Sequence, residues 1–154
     1  MKKLALLLTI LLFSSMANAK SVFTGQNYSG TYNCKGSNEQ VGDYEVTVRL
    51  KLNRVSSYGH FGAYYYETET ENSVVYNGHA IADGNRLSIA LELSEGRNSE
   101  PSVGTAVIKR DENGRLSFRK NYYEPDDNGG NYGSEHCSMV TKAGQKVLKK
   151  QRNS

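Results

Sequence analysis

The residues able to do chemistry in this 154-residue chain are few and scattered. His60, His79 and His136 are the only histidines, and each stands alone in the sequence. His79 lies between Gly78 and Ala80 in an extended stretch, at a wall or in a cavity. A serine–histidine–carboxylate hydrolase would need one of these rings beside an activated nucleophile, and no Gly-x-Ser-x-Gly or equivalent occurs. Glu124-Pro125-Asp126-Asp127-Asn128-Gly129-Gly130 offers oxygen ligands of the kind a calcium ion takes, from Glu124, Asp126 and Asp127. Its spacing departs from the EF-hand loop, and the glycines fit an exposed turn, so no metal or other cofactor is expected. Glu67, Glu69 and Glu71 alternate along one segment and read as a solvated face that discourages edge pairing. Eleven tyrosines and no tryptophan leave Tyr as the dominant aromatic. A buried Tyr carries a hydroxyl that needs a partner, so a Tyr-rich interior points to a partly polar cavity. The ligand-contact candidates are Tyr32, Tyr64, Tyr66, His79 and Tyr122. The competing reading has these rings filling the core or standing on the outer wall.

The elements that would position these side chains begin after an export signal. Lys2 and Lys3 precede an apolar run from Leu4 to Phe13, and Ala17-Asn18-Ala19 closes it with small residues. That pattern is a removable secretory signal, 1–19, with cleavage expected before Lys20. The run is short of the ~20 residues needed to cross a bilayer, and no later stretch is apolar enough. The mature chain is expected to be a soluble monomer in the bacterial periplasm or outside the cell.

Once Lys2 and Lys3 are removed, 17 basic residues face 16 acidic ones. Lys142, Lys146, Lys149, Lys150 and Arg152 concentrate in 142–154, a basic tail expected to be a short helix (141–150) or frayed. The body is then mildly acidic, without the clustered Lys/Arg of a nucleic-acid-binding face.

Cys34 and Cys137 are the only cysteines. An even count in an exported chain reads as a disulfide. It would join the first and last strands of the body, 20–141. Tyr44 to Leu52 alternates apolar and polar positions cleanly, and Leu87, Ile89, Leu91 and Leu93 share a face. Further strands read over Tyr28–Cys34, Phe61–Thr70, Val74–Ala82, Val103–Arg110, Arg115–Tyr123 and Tyr132–Val140. Asp83-Gly84-Asn85 and Glu112-Asn113-Gly114 fit tight hairpins, whereas 35–43, 94–100 and 126–130 read as wider loops. About eight sequential strands with tied ends predict an all-β, antiparallel up-and-down meander closing into a small barrel of calycin- or lipocalin-like architecture. A β-sandwich is the alternative. Gly78, Ala80 and Ala82 share one face, as do Gly104 and Ala106; facing inward, they would leave room for a ligand or for large neighbours.

Gly30-Thr31-Tyr32 resembles the Gly-x-Trp opening of the lipocalin first strand, with Tyr in place of Trp. Lipocalin- and avidin-like barrels bind small ligands in the mouth. Tyr32-Asn33-Cys34 together with Cys137 is similar to the cysteine arrangement of periplasmic inhibitors of C-type lysozyme. The Ser- and Lys-containing inhibitory loop of that family has no counterpart here, so no inhibitory residue carries over. Both likenesses lie at the level of fold, which does not determine function. The leading expectation is a non-enzymatic barrel holding a small ligand among tyrosines. A protein-binding module such as a lysozyme inhibitor comes second, and a hydrolase last.

Overall fold

Period-two alternation dictates eight strands, and a computed structural model describing residues 21–70, 75–93 and 101–142 shows them closed into one barrel. In chain order they are β1 (Gly30–Asn38), β2 (Gly42–Leu52), β3 (Phe61–Thr70), β4 (Val75–Asp83), β5 (Arg86–Leu93), β6 (Ser102–Arg110), β7 (Leu116–Glu124) and β8 (Asn131–Lys142). Each strand pairs antiparallel with its sequence neighbours, and β8 returns to pair with β1. The sandwich alternative is therefore set aside. Closure leaves no free sheet edge, which removes the template for aggregation that an open meander would present.

Cys34 and Cys137 sit directly opposite each other on β1 and β8, at 4.0 Å between Cα atoms, and form a disulfide. Both sulfurs face the interior and are buried. The cross-link thus lies on the seam that closes the barrel.

The turns follow local chemistry. Gly84 and Gly114 adopt φ of 58° and 75°, the left-handed geometry their hairpin positions require. The 35–43 stretch, expected to be a wide loop, is instead strand on both sides of a short turn at 39–41. Asn38 holds that turn, its Oδ1 accepting from the backbone N–H of Gln40 and Val41. The sequence conceals this because the inward position there is Gly36, which carries no apolar signal. Thr141 and Lys142 belong to β8 rather than to a helix. The remainder of the expected tail helix, and the expected signal, lie outside the described residues.

The barrel interior is graded along its axis. At the end bearing the β2–β3, β4–β5 and β6–β7 connections it is apolar, lined by Leu50, Ala82, Leu87, Ile108 and Leu116. The segment preceding β1 lies against this end. Phe23 bridges to Gly59, and Tyr28 is buried with its hydroxyl donating to Gly84 O at 2.8 Å. The other end is polar and contains the cavity described next.

Candidate functional site

Inward parity on a strand is inherited two residues at a time, so every side chain between two core residues of the same face also points into the barrel. On β7, Leu116 and Phe118 are core, and the same face continues with Lys120, Tyr122 and Glu124. On β8, Cys137 and Met139 are core, and the same face begins with Asn131, Gly133 and Glu135. Two opposite charges thereby enter the interior from adjacent strands. Lys120 and Glu135 are directly paired in register and form an ion pair of 2.7 Å, with side chains only 4 % and 5 % exposed.

A hydrogen-bonded array surrounds this pair. Tyr44 on β2 donates to Glu135 Oε1 at 3.2 Å and shares a 2.7 Å hydrogen bond with the Tyr122 hydroxyl. The Asn38 amide donates to Tyr122 at 3.0 Å. The Lys120 ammonium also stands 4.8 Å from the centre of the Tyr122 ring and 5.8 Å from that of Tyr66, within reach of cation–π attraction. Burial pushes the Tyr44 and Tyr66 phenols well above their ordinary range, and the nearby Glu135 carboxylate adds to it. These hydroxyls stay protonated and serve as neutral hydrogen-bonding groups.

Glycines make room for this ring cluster. Gly36 faces Tyr44 across the β1–β2 ladder, and a methyl added to it would stand 2.3 Å from that ring. Tyr122 lies in register with Gly133 on one side and Gly104 on the other, and a methyl on Gly133 would meet its ring at 2.2 Å. Tyr66 is in register with Gly78, but a methyl there would meet the Ala90 carbonyl oxygen at 2.0 Å rather than the ring. Gly36 and Gly133 thus leave the space that the Tyr44 and Tyr122 rings occupy.

Above the array is a cavity of about 1260 Å³. Its wall includes Val46, Thr68, Tyr76, Leu91 and Ser102, and its lining extends to the outward-facing Lys35, Glu45, Arg119 and His136. Two buried hydroxyls have no hydrogen-bond partner, Tyr66 Oη in the core and Thr68 Oγ1 on the cavity wall. An unpaired buried hydroxyl costs about 1–3 kcal/mol, so Thr68 marks a place on the wall where an incoming polar atom would be stabilised. Glu124 stands half-buried on the wall and forms no ion pair among the described residues. Burial pushes its carboxyl above the usual range, outweighing the opposite pull of Lys120 and Asn131.

The five sequence candidates separate. Tyr122 belongs to the array, and Tyr66 lies within cation–π reach of Lys120. Tyr32 and Tyr64 serve the closed end instead. Tyr32 packs on Phe118 at 5.0 Å and donates to Tyr28 O at 2.7 Å, and Tyr64 donates to Gln26 O at 3.0 Å. His79 points outward and lies against Tyr65 at 5.5 Å between ring centres. The other histidines are also on the outside. The only histidine–carboxylate pair among the described residues is His60–Asp83, at 3.3 Å on exposed surface.

The loop oxygens of the kind calcium takes do not converge. Glu124 turns into the barrel, whereas Asp126 accepts from the N–H groups of Asn128 and Gly130 at 2.7 Å each and so shapes its own turn. Asp127 is exposed. Among the described residues, the one gathering of metal-ligating atoms is Cys34, Glu135 and Cys137, whose sulfurs are consumed by the disulfide.

Sequence reasoning missed Lys120, Glu135, Glu124 and Tyr44 as members of one site. A signal was present: each lies an even number of residues from an apolar inward neighbour. Comparison with protein-family models, with curated proteins and with solved structures found no match.

Proposed function

We propose that this chain is a non-enzymatic binding protein that takes a small polar or amphipathic molecule into the tyrosine-rich mouth of its barrel. The observation that carries this reading is the gradient inside the barrel. One half is filled by apolar side chains, whereas the other combines a cavity of about 1260 Å³ with a buried ion pair, a tyrosine array and an unpartnered hydroxyl. A core serving stability alone gains little from this. Replacing a buried ion pair by apolar side chains of similar size is often neutral or stabilising, so stability does not explain its retention. Ligand sites of this kind place a few fixed polar groups in an otherwise apolar concavity. Tyr44 and Tyr122, held by each other and by Asn38 and Glu135, are such fixed groups.

The proposal includes export to an oxidising compartment, the periplasm or the exterior, where the Cys34–Cys137 bond persists. Support comes from that bond and from the signal-like pattern of residues 1–19.

The test is to fill the mouth. Thr68→Trp places an indole where the unpartnered hydroxyl now lines the wall. A small-molecule fragment set is screened by two-dimensional NMR against the wild type and the variant. Fragments that shift resonances of Tyr44, Thr68 and Tyr122 in the wild type should lose their effect in Thr68→Trp. If no fragment perturbs those positions, the binding reading fails.

A further inference from the structure

The charges inside the mouth do not balance. Lys120 and Glu135 neutralise each other at 2.7 Å, and both are nearly inaccessible. Their array leaves the lysine committed, between a carboxylate and two phenol rings. Glu124 is the carboxylate left over. It lines the cavity, is partly open to solvent and has no cation of its own among the described residues. Tyr76 from β4 and Tyr122, two residues before it on β7, line the same cavity, and the Glu124 charge adds to the upward push that burial gives both phenols. The Tyr122 ring is fixed by hydrogen bonds to Asn38 and Tyr44. The buried Thr68 hydroxyl, 4 % exposed, adds an unpartnered polar atom to the same wall.

A cavity lined by a carboxylate and phenol rings offers the chemistry that holds ammonium groups, through direct charge attraction and through the negative faces of the rings. An anion would be repelled by Glu124 and would find Lys120 buried and already paired with Glu135. A neutral polyol would make no use of the unbalanced charge. Resting on the binding function proposed above, we propose that the mouth selects a small organic cation, a primary or quaternary ammonium. Its charge would be set against Glu124, its carbon groups would lie on Tyr76 and Tyr122, and a polar substituent would reach Thr68.

The experiment uses three probes of one shape and different charge: benzylamine, which is protonated at pH 7, benzyl alcohol and benzoate. Each is titrated into the full chain by calorimetry and by two-dimensional NMR. Benzylammonium should shift resonances of Thr68, Tyr76, Tyr122 and Glu124 and bind about tenfold or more tighter than benzyl alcohol. Benzoate should bind weakest. Glu124→Gln, which keeps shape and removes charge, should bring benzylammonium to the affinity of benzyl alcohol. Acidification should act likewise in the wild type, as Glu124 takes up a proton among Lys120, Glu135, Tyr76 and Tyr122. Tyr76→Leu is a second variant, expected to weaken benzylammonium more than benzyl alcohol.

If benzyl alcohol or benzoate binds in the mouth as tightly as benzylammonium, or if Glu124→Gln leaves the ranking intact, the ammonium reading is overturned and the binding function survives. If none of the three perturbs a mouth resonance, the ammonium reading falls, and the fragment screen decides separately whether the binding function falls with it.

Discussion

Replacing Lys120 with methionine removes the ammonium from Glu135 while keeping an unbranched stem of similar bulk. At 2.7 Å the pair has a gross Coulomb attraction of about 6 kcal/mol for an effective dielectric constant near 20. Desolvation of two side chains only 4 % and 5 % exposed opposes it by a comparable amount, so the intact pair contributes little net stability. The substitution is asymmetric, however. It removes the attraction and leaves Glu135 buried, with Tyr44 as its remaining hydrogen-bond donor. Breaking a buried pair in this way costs about 3–5 kcal/mol. With a urea slope of about 1–3 kcal/mol/M, the unfolding midpoint should fall by roughly 2 M. The double variant Lys120→Met/Glu135→Leu removes both charges and should return to within about 1–2 kcal/mol of the wild type. Urea unfolding at pH 7, followed by far-ultraviolet circular dichroism, measures all three proteins. A single variant within 1 kcal/mol of the wild type, or a double variant no better than the single, would refute the claim that the pair is desolvated and mutually dependent.

The remaining predictions concern the seam, the wall and the phenols. Cys34→Ala/Cys137→Ala opens a cross-link spanning 103 residues and should lower stability by up to about 4–5 kcal/mol on the chain-entropy estimate; an unchanged denaturation midpoint would contradict it. Gly78→Ala would place a methyl 2.0 Å from the Ala90 carbonyl oxygen, a backbone atom that yields only if the β4–β5 ladder shifts. Its expected cost is about 1–3 kcal/mol, read by thermal unfolding, and a neutral effect would mean the wall is looser than its geometry. Tyr32, Tyr44 and Tyr66 have phenols raised by burial, so the folded state holds their protons more tightly than the unfolded chain does. The stability they contribute is complete below about pH 10 and is lost as pH climbs further. Absorbance at 295 nm should therefore show these rings ionising together with loss of the β signal. Ionisation of all eleven tyrosines near pH 10 with the fold intact would argue against their burial.

The strands were legible because their information is local. A half-buried strand must alternate; Tyr44 to Leu52 does so throughout, and Leu87, Ile89, Leu91 and Leu93 share one face. The hairpins at Gly84 and Gly114 were legible for a similar reason, since few residues other than glycine adopt their φ readily. Two cysteines in first and last strands were enough to imply a closed seam, because a bond between chain ends is also a statement about topology. The polar mouth was only half legible. Parity along β7 and β8 places Lys120, Glu124 and Glu135 inside, yet a charge on an inward face has no interpretation until its partner is known.

That partner is a matter of register, and register is decided only when strands far apart in sequence lie side by side. The amino-acid sequence by itself determined that this chain alternates, turns tightly and ties its ends, because those properties depend on neighbours a few residues away or on the presence of a second sulfur. Tertiary structure alone decided that Lys120 meets Glu135, that Tyr44 and Tyr122 lie over glycines of adjacent strands, and that Tyr32 and Tyr64 belong to the closed end. One residue of slip in the β7–β8 ladder would break the Lys120–Glu135 and Tyr122–Gly133 pairings and turn the slipped strand's charge outward. Closing the barrel sets that register, and with it which tyrosines fill the core and which line the cavity.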